Sequence, residues 1–319
     1  MTARGAPSRV DFMPKATDPT ASNRPRRYLL QGTAVAAVKP AAGLYLVATP
    51  IGNLADITLR ALEILAGADL IACEDTRVTS RLTERYGIGT PLTPYHEHNA
   101  AEARPKLLAR LTEGQAIALV SDAGTPLISD PGYKLARAAI VAGHHVTAIP
   151  GASAVLTALN VAGPPTDRFF FEGFLPAKQT ARQRRIAALA VIPATLVLFE
   201  SGQRLAATLA DLAEGLGART ASVCRELTKL HEEVRRGDLA TLARDYREGA
   251  ETRGEIVIVV APPTDEAEAV DVDALLRRAL ARVSLKDAVG EVALASGRPR
   301  REVYQRALEL SKEAGDGGE

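Results

Sequence analysis

The sequence predicts an α/β protein built from two α/β blocks, followed by a helical segment of helix-turn-helix character. Three observations predict it. From Gly43 onward, apolar runs bounded by turn residues alternate with segments of helical period. The turn-rich stretch Gly163-Pro164-Pro165-Thr166-Asp167 divides that alternation in two. Beyond Pro262-Pro263 only helical periodicity remains. The alternation implies mostly parallel strands with both sheet faces covered. The expected organisation is an extension over 1–42, α/β domains over 43–163 and 168–263, and a helical segment over 268–312.

Each element has its own reason. Leu44–Thr49 is an apolar run and reads as a buried strand, and Thr58–Gly67 sets Leu59, Leu62 and Leu65 on one helix face. Leu70–Cys73 reads as a strand and Thr76–Tyr86 as a helix. Ala101–Glu113 is a helix, Ala116–Ser121 a strand, Tyr133–Ala142 a helix, Val146–Ile149 a strand and Ala152–Val161 a helix. In the second block Phe169–Phe174, Leu196–Glu200, Thr220–Glu226 and Glu255–Val260 are strands, with helices near 181–190, 203–214 and 238–246. The acidic stretch Thr264–Asp273 leads into the helical segment. There Ser284 caps a helix over Leu285–Ala295, Gly297 turns the chain, and a second helix covers Arg300–Leu310. The polar tail Gly315–Glu319 is expected to fray.

Composition narrows the classes. The 319 residues are 46% hydrophobic and 24% charged, which excludes a disordered chain. Aromatics are 4% with no Trp, so Ala, Leu, Val and Ile must build the core. A net charge of +1 excludes a globally basic nucleic-acid coat but leaves room for a local basic face. Cys73 and Cys224 lie in apolar runs and read as reduced core residues of a cytoplasmic protein. No apolar run approaches the ~20 residues of a membrane span. Residues 1–42 lack a steady period and read as a disordered extension. Arg26-Arg27 ahead of Tyr28-Leu29-Leu30 also fits a twin-arginine signal, but Gln31 and Gly32 interrupt the apolar run that follows.

Three compact loops follow strands of the first block: Thr49-Pro50-Ile51-Gly52-Asn53-Leu54, Ser121-Asp122-Ala123-Gly124-Thr125-Pro126 and Pro150-Gly151-Ala152-Ser153-Ala154. Loops at the carboxyl ends of parallel strands line the ligand crevice, and glycine lets the backbone approach a ligand closely. The three are expected to converge. None is a dinucleotide fingerprint, and neither a phosphate-binding G-x-x-x-x-G-K-[ST] loop nor a G-x-S-x-G elbow occurs.

Glu74-Asp75-Thr76-Arg77 follows a strand and belongs either to the crevice rim or to a helix start capped by Asp75. His96-Glu97-His98-Asn99 would place two imidazoles on one face if it were a strand, but it reads better as a polar, substrate-facing loop. A zinc site needs further ligands that no Cys or His motif supplies, so no metal is expected. Lys178, Arg182, Arg184 and Arg185 form a cationic cluster with no acid from 173 to 185, suited to phosphates or to a solvated helix face. In the last helical pair Arg298, Arg300, Arg301 and Arg306 give a basic face, a pattern that fits a helix-turn-helix and a plain helical hairpin equally.

Together these motifs resemble the ribosomal RNA small subunit methyltransferase I family, within the tetrapyrrole-methylase fold. The residues that carry the resemblance are Val47–Leu54, Glu74–Arg77, Tyr95–Asn99, Ser121–Pro126, Ser129–Gly132, Ile149–Ser153, Gly173–Pro176, Glu200-Ser201, Arg225–Lys229 and Gly254-Glu255. It implies two α/β domains of tetrapyrrole-methylase type with S-adenosylmethionine between them. It also implies 2′-O-methylation of a cytidine in the decoding region of 16S rRNA, in the small ribosomal subunit, by a homodimer. Pro50, Gly52, Asp122, Ala123, Gly124, Thr125, Pro126, Pro150, Gly151, Ala152 and Ser153 are then the expected cofactor residues. Glu74, Asp75, Arg77, His96, His98 and Glu226 are candidates for acceptor positioning or the general base. Lys178, Arg182, Arg184, Arg185, Arg298, Arg300 and Arg301 are candidates for RNA contact. The rival readings are a tetrapyrrole methyltransferase, a diphthine-synthase-like enzyme and a non-enzymatic nucleic-acid binder.

Overall fold

The computed structural model describes residues 26–129, 132–249, 252–263, 272–296 and 299–316. In chain order, β1 (Arg27–Leu30) and β2 (Thr33–Ala36) precede β3 (Gly43–Val47), α1 (Leu59–Gly67), β4 (Leu70–Cys73), α2 (Thr76–Arg85) and β5 (Leu92–Pro94). Next come α3 (Ala100–Thr112), β6 (Ala116–Val120), α4 (Tyr133–Val141), β7 (Val146–Ile149) and α5 (Ala154–Ala162). The strands β3 to β7 form a five-stranded, wholly parallel sheet in the order β5-β4-β6-β3-β7.

Period-2 alternation divides its side chains between two cores. Tyr45, Val47, Ile71, Cys73, Ala118 and Val120 meet Leu62 and Leu65 of α1 and Leu82 of α2. Leu44, Leu70, Ala72, Ile117 and Leu119 meet Leu107 and Leu111 of α3 and Leu135 of α4. Thr58 caps α1 through Ala61 N–H at 3.1 Å.

The expectation of disorder through residue 42 fails for its described part. Here β1 and β2 pair as an antiparallel hairpin. Leu29 N–H also donates to the Tyr86 carbonyl at 2.6 Å. Tyr28 is buried in the first core. Asp69 holds both hairpin ends, taking Arg26 at 2.9 Å and Lys39 at 3.1 Å while accepting Ala116 N–H at 2.9 Å. Four-residue strands with one buried side chain carry too little apolar periodicity to stand out. Residues 1–25 lie outside the described residues. Asp69→Ala is expected to release the hairpin, at a cost of roughly 1–3 kcal/mol for groups left unsatisfied. Limited trypsin digestion should then cut after Arg26 and Arg27 while sparing the rest; an unchanged digestion pattern would show that apolar packing alone holds the hairpin.

The second sheet contains β8 (Phe169–Phe174), β9 (Thr195–Ser201), β10 (Thr220–Arg225), β11 (Glu233–Asp238) and β12 (Glu255–Val260), in the order β11-β10-β12-β9-β8. Its helices are α6 (Gln179–Leu189), α7 (Gly202–Leu216) and α8 (Leu239–Glu248). This sheet is mixed rather than mostly parallel. Only β8 and β9 run parallel, while β9, β12, β10 and β11 are successively antiparallel. The edge strand β11 was not legible because its sequence, Glu-Val-Arg-Arg-Gly-Asp, is charged and partly exposed. Helix α5 precedes the Gly163-Pro164-Pro165 linker, yet Val155, Ala158, Leu159 and Ala162 pack against Val197, Cys224, Val257 and Val259 of the second sheet. The two sheets therefore belong to one compact unit.

The other unit is helical: α9 (Val272–Leu280), α10 (Leu285–Ser296) and α11 (Arg300–Asp316). Leu276, Ala279, Ala288, Val289, Val292, Val303, Ala307 and Leu310 form its core. Ser284 caps α10, its hydroxyl taking Asp287 N–H at 3.3 Å. No helix among the described residues is long and apolar enough to cross a membrane.

Candidate active site

The parallel order of the first sheet lines up the carboxyl ends of β6, β3 and β7, so their glycine-bearing loops are neighbours. Thr49 and Gly124 exchange backbone hydrogen bonds at 2.9 and 3.0 Å. The Thr125 hydroxyl donates to the Ala152 carbonyl at 3.1 Å. Gly124 has φ +75°, and a Cβ there would stand 3.2 Å from Ile51 Cγ2, so glycine keeps two loops in contact. Gly151 approaches Ala48 in the same way, with 3.0 Å left for a Cβ.

These loops form one wall of a cleft of about 230 Å³. Ile51, Ala123, Gly124, Thr125 and Ser153 line it from the first sheet. Pro50, Asp122, Pro126, Pro150, Gly151 and Ala152 belong to the same loops but are not themselves among the lining residues. Gly52 lies under the Lys229 side chain, which a Cβ would overlap. The opposite wall comes from the second sheet: Phe174, Phe199, Glu200, Cys224, Leu227 and Val257. None of these stood out in the sequence as a cleft residue. The available signal was phenylalanine: of six in the chain, Phe169, Phe170, Phe171, Phe174 and Phe199 fall on two adjacent strands.

Glu200 is a buried carboxylate that accepts Ser201 N–H at 2.8 Å and the Thr208 hydroxyl at 2.7 Å. Burial pushes the Cys224 thiol up to about 11, so it stays protonated at neutral pH. Non-glycine residues in left-handed backbone cluster here, Leu127 (φ 75°) and Ser129 (φ 63°) on one side, Glu226 (φ 50°) and Thr228 (φ 67°) on the other. Such conformations are held by their surroundings and gather at functional sites. Asp130 and Pro131 lie outside the described residues.

The rim beyond β4 is acidic. Asp75 caps α2 by accepting Arg77 N–H at 2.8 Å. It also takes the Arg77 guanidinium at 2.6 and 3.0 Å, so capping and rim readings both hold. That side-chain pairing pulls the Asp75 carboxyl down to about 2. Because the folded value is the lower one, the pair's contribution is present above the usual carboxylate value of about 3.9 and is lost as pH falls toward about 2. Arg77→Ala is expected to return the Asp75 carboxyl toward its usual range in a carboxyl NMR titration, and an unmoved value would remove Arg77 as the cause. Glu74 is half-buried beside Asp75.

Asp122 joins this rim to the cleft. Its Oδ1 accepts Asp75 N–H at 3.0 Å, and the next three residues line the cleft. Burial pushes its carboxyl up, against the opposing Asp75 N–H bond. Its Oδ2 has no hydrogen-bond partner among the described residues.

As the loop reading expects, His96 and His98 do not lie on a strand. They occupy the turn after β5, where Asn99 Oδ1 accepts His96 N–H at 2.9 Å and Asn99 Nδ2 donates to the Pro94 carbonyl at 2.9 Å. Their rings meet edge-on at 6.1 Å. His96 Nδ1 is buried without a hydrogen-bond partner among the described residues, whereas His98 is exposed. Glu226 is already engaged, accepting Lys229 Nζ at 2.8 Å and Glu255 N–H at 2.9 Å. Burial pushes its carboxyl up, but these two donors outweigh it and hold it below the ordinary value. Glu226 therefore anchors Lys229 over Gly52 and is a poor base.

The cationic residues divide. Lys178 and Arg184 are exposed, and Arg185 is exposed but paired in two hydrogen bonds of 2.6 Å with Glu172. Arg182 departs from the expectation. It is 5% exposed and locked to Asp211 at 2.6 Å, so it presents no charge to a phosphate. On α11, Arg300 and Arg301 are exposed. Arg306 is not a free cation either, being paired with Asp273 at 2.5 Å and Glu309 at 2.7 Å. Arg298 lies outside the described residues.

Comparison with known proteins agrees with this architecture. Residues 43–243 match the family of Tetrapyrrole (Corrin/Porphyrin) Methylases, and residues 266–311 match the RsmI C-terminal HTH domain. The Ribosomal RNA small subunit methyltransferase I of Mesorhizobium japonicum is 53% identical over 86% of this chain and 94% of its own. The protein of that name from Escherichia coli O157:H7 is 46% identical over 83% of this chain and 94% of its own. Among solved structures, uroporphyrin-III-C-methyltransferase from Thermus thermophilus shares the fold, with a TM-score of 0.50 at 23% identity, over 69% of this chain and 94% of that one. A cleft between a parallel and a mixed sheet, a trailing three-helix unit and 46–53% identity over nearly the whole length of the relatives thus place the chain in the tetrapyrrole methylase family and, within it, among the ribosomal RNA small subunit methyltransferases I.

Proposed function

We propose that this methyltransferase transfers the methyl group of S-adenosylmethionine to the ribose 2′-hydroxyl of a cytidine in the decoding region of 16S rRNA. The observation that carries the reading is 53% identity over 94% of the length of a relative named for the small-subunit rRNA. The cleft supports it, with apolar walls at Ile51, Leu227 and Val257 for an adenosine and closely approaching backbone at Ala123–Thr125 for hydrogen bonds. Gly124, which can carry no side chain without meeting Ile51, leaves the backbone of that wall bare for such a cofactor. When bound, it supplies an electrophilic methyl group on a sulfonium. Cys224, kept as a thiol by burial, does not compete for it.

The acceptor belongs over the carboxyl ends of β4 and β5, beside the cofactor loops. Asp75 and Arg77 shape that side. Asp122 stands between the two and takes the hydroxyl proton, since its free Oδ2 and raised basicity suit the task better than the engaged Asp75 and Glu226. Lys178, Arg184, Arg185, Arg300 and Arg301 meet RNA phosphates. In this reading residues 43–163 and 168–263 are the two catalytic domains and 268–312 an RNA-contacting segment. The enzyme works in the cytoplasm as a homodimer on the small ribosomal subunit.

The test is methyl transfer from labelled S-adenosylmethionine to small subunits from cells lacking the endogenous enzyme, with the product mapped by nuclease digestion and mass spectrometry. A 2′-O-methylated decoding-region cytidine is expected. Cofactor binding without transfer to the subunit would turn the reading toward a tetrapyrrole acceptor.

A further inference from the structure

The cleft mouth carries two large apolar side chains that remain in solvent. Phe174 is 56% exposed and Ile128 is 42% exposed, and both line the cleft, one from each wall. Deeper in, Ile51, Leu227 and Cys224 are closed off. The exposed pair is not incidental, because the backbone on each side is shaped to present it.

On β8 the pairing with β9 slips between Phe171 and Gly173. In an unbroken strand, residues three apart face opposite ways. Here Phe171 and Phe174 both reach the Phe199 ring, with centroids at 5.0 and 5.6 Å and planes at 69° and 64°. A bulge re-aims the side chain that follows it. Gly173 makes it possible with φ +76°, and a Cβ there would stand 2.9 Å from Ser129 Oγ. The Ser129 loop therefore lies directly on the bulge. On that loop Ile128 is flanked by Leu127 and Ser129, both in left-handed backbone. In a chain with 4% aromatics and no Trp, three Phe rings meet around Phe199, and two of them, Phe174 and Phe199, line the cleft.

We propose that Phe174 and Ile128 form the seat for the nucleobase of the acceptor nucleotide, with the base stacked on the Phe174 ring and held from the other side by Ile128. The inference rests on the ribose-methylation reading above. A ribose hydroxyl reaches the bottom of a cleft only if its nucleotide leaves the RNA stack, and the exposed base then needs a new partner. Unstacked RNA bases are taken up by aromatic faces. The half-exposed rim suits a group that arrives from RNA at each turnover, while the closed floor suits the cofactor's adenosine. Phe199, behind Phe174, fixes the ring edge-to-face and leaves its outer face for the base.

The test uses the full-length enzyme with small ribosomal subunits as substrate. Phe174→Ala is expected to raise KM for the subunits about ten- to a hundredfold, the range of base–aromatic stacking. Calorimetric affinity for S-adenosylhomocysteine should be unchanged. Phe174→Trp and Phe174→Tyr should restore KM, whereas Phe174→Leu, apolar but without a π face, should not. Ile128→Ala should raise KM in the same direction. Loss of S-adenosylhomocysteine affinity with an unchanged subunit KM would overturn the proposal by making Phe174 a cofactor contact. Full recovery by Phe174→Leu would overturn it by showing that a π face is not required. Wild-type enzyme inactive on the subunits would instead overturn the function reading, and that control is read before any variant.

Discussion

Asp122→Asn is expected to lower kcat for methyl transfer by about 10²- to 10⁴-fold, the usual worth of a positioned general base. The substitution is nearly isosteric. The Asn oxygen still accepts Asp75 N–H, the bond that ties the rim to the cleft loop at 3.0 Å. What disappears is the carboxylate that receives the hydroxyl proton. In the wild type the rate should climb with pH through the Asp122 titration, which burial shifts upward. In Asp122→Asn that acidic limb should vanish. Affinity for S-adenosylhomocysteine, measured calorimetrically, should change little. A variant that keeps kcat and its acidic limb would move the proton acceptor elsewhere, with the partnerless Nδ1 of His96 next in line. A variant that loses cofactor affinity instead would make Asp122 a cofactor residue.

Arg182→Ala is expected to destabilise the fold by about 3–5 kcal/mol, because it leaves a buried carboxylate without its cation. Asp211 is 4% exposed, and Arg182 Nε donates to it at 2.6 Å. The Gln179 and Gln183 amides also reach Asp211, at 3.3 and 3.2 Å, which places the loss toward the lower end. Arg182 further donates to the Ala177 carbonyl at 3.2 Å, holding the entry to α6. Urea unfolding would read the loss as a lowered midpoint at constant slope. Arg184→Ala, two residues on and exposed, should stay within about 0.5 kcal/mol of wild type. Its effect belongs in the salt dependence of RNA binding. Replacing both partners, Arg182→Met with Asp211→Leu, should recover most of the stability. Equal midpoints for wild type and Arg182→Ala would show that the pair carries no net stability and would return Arg182 to the RNA surface.

The contrast between Arg182 and Arg184 shows where sequence reading stops. Both stand in a run without acids, and nothing local distinguishes them. Their fates are set by Asp211, which lies 29 residues beyond Arg182 on a different helix. Arg306 repeats the lesson, since its partner Asp273 is 33 residues away. The His96–His98 pair shows another limit. Spacing alone allows a strand face or a polar loop, and it is the Asn99 side chain that decides for a turn, with two hydrogen bonds. The edge strand β11 was missed because a strand that buries little leaves little apolar alternation to read.

The sequence by itself determined most of the strand and helix order from Gly43 onward, the capping residues Asp75 and Ser284, and the glycine loops that share one sheet edge. These follow from local physics: apolar period, cap chemistry and the freedom of glycine act within a few residues. Only the tertiary structure decided that the second sheet is mixed, that Phe174, Phe199 and Glu200 complete the cleft, and that Arg182 is a core cation. Those outcomes depend on which distant surfaces meet, and burial and ion pairing are properties of the meeting rather than of either segment alone.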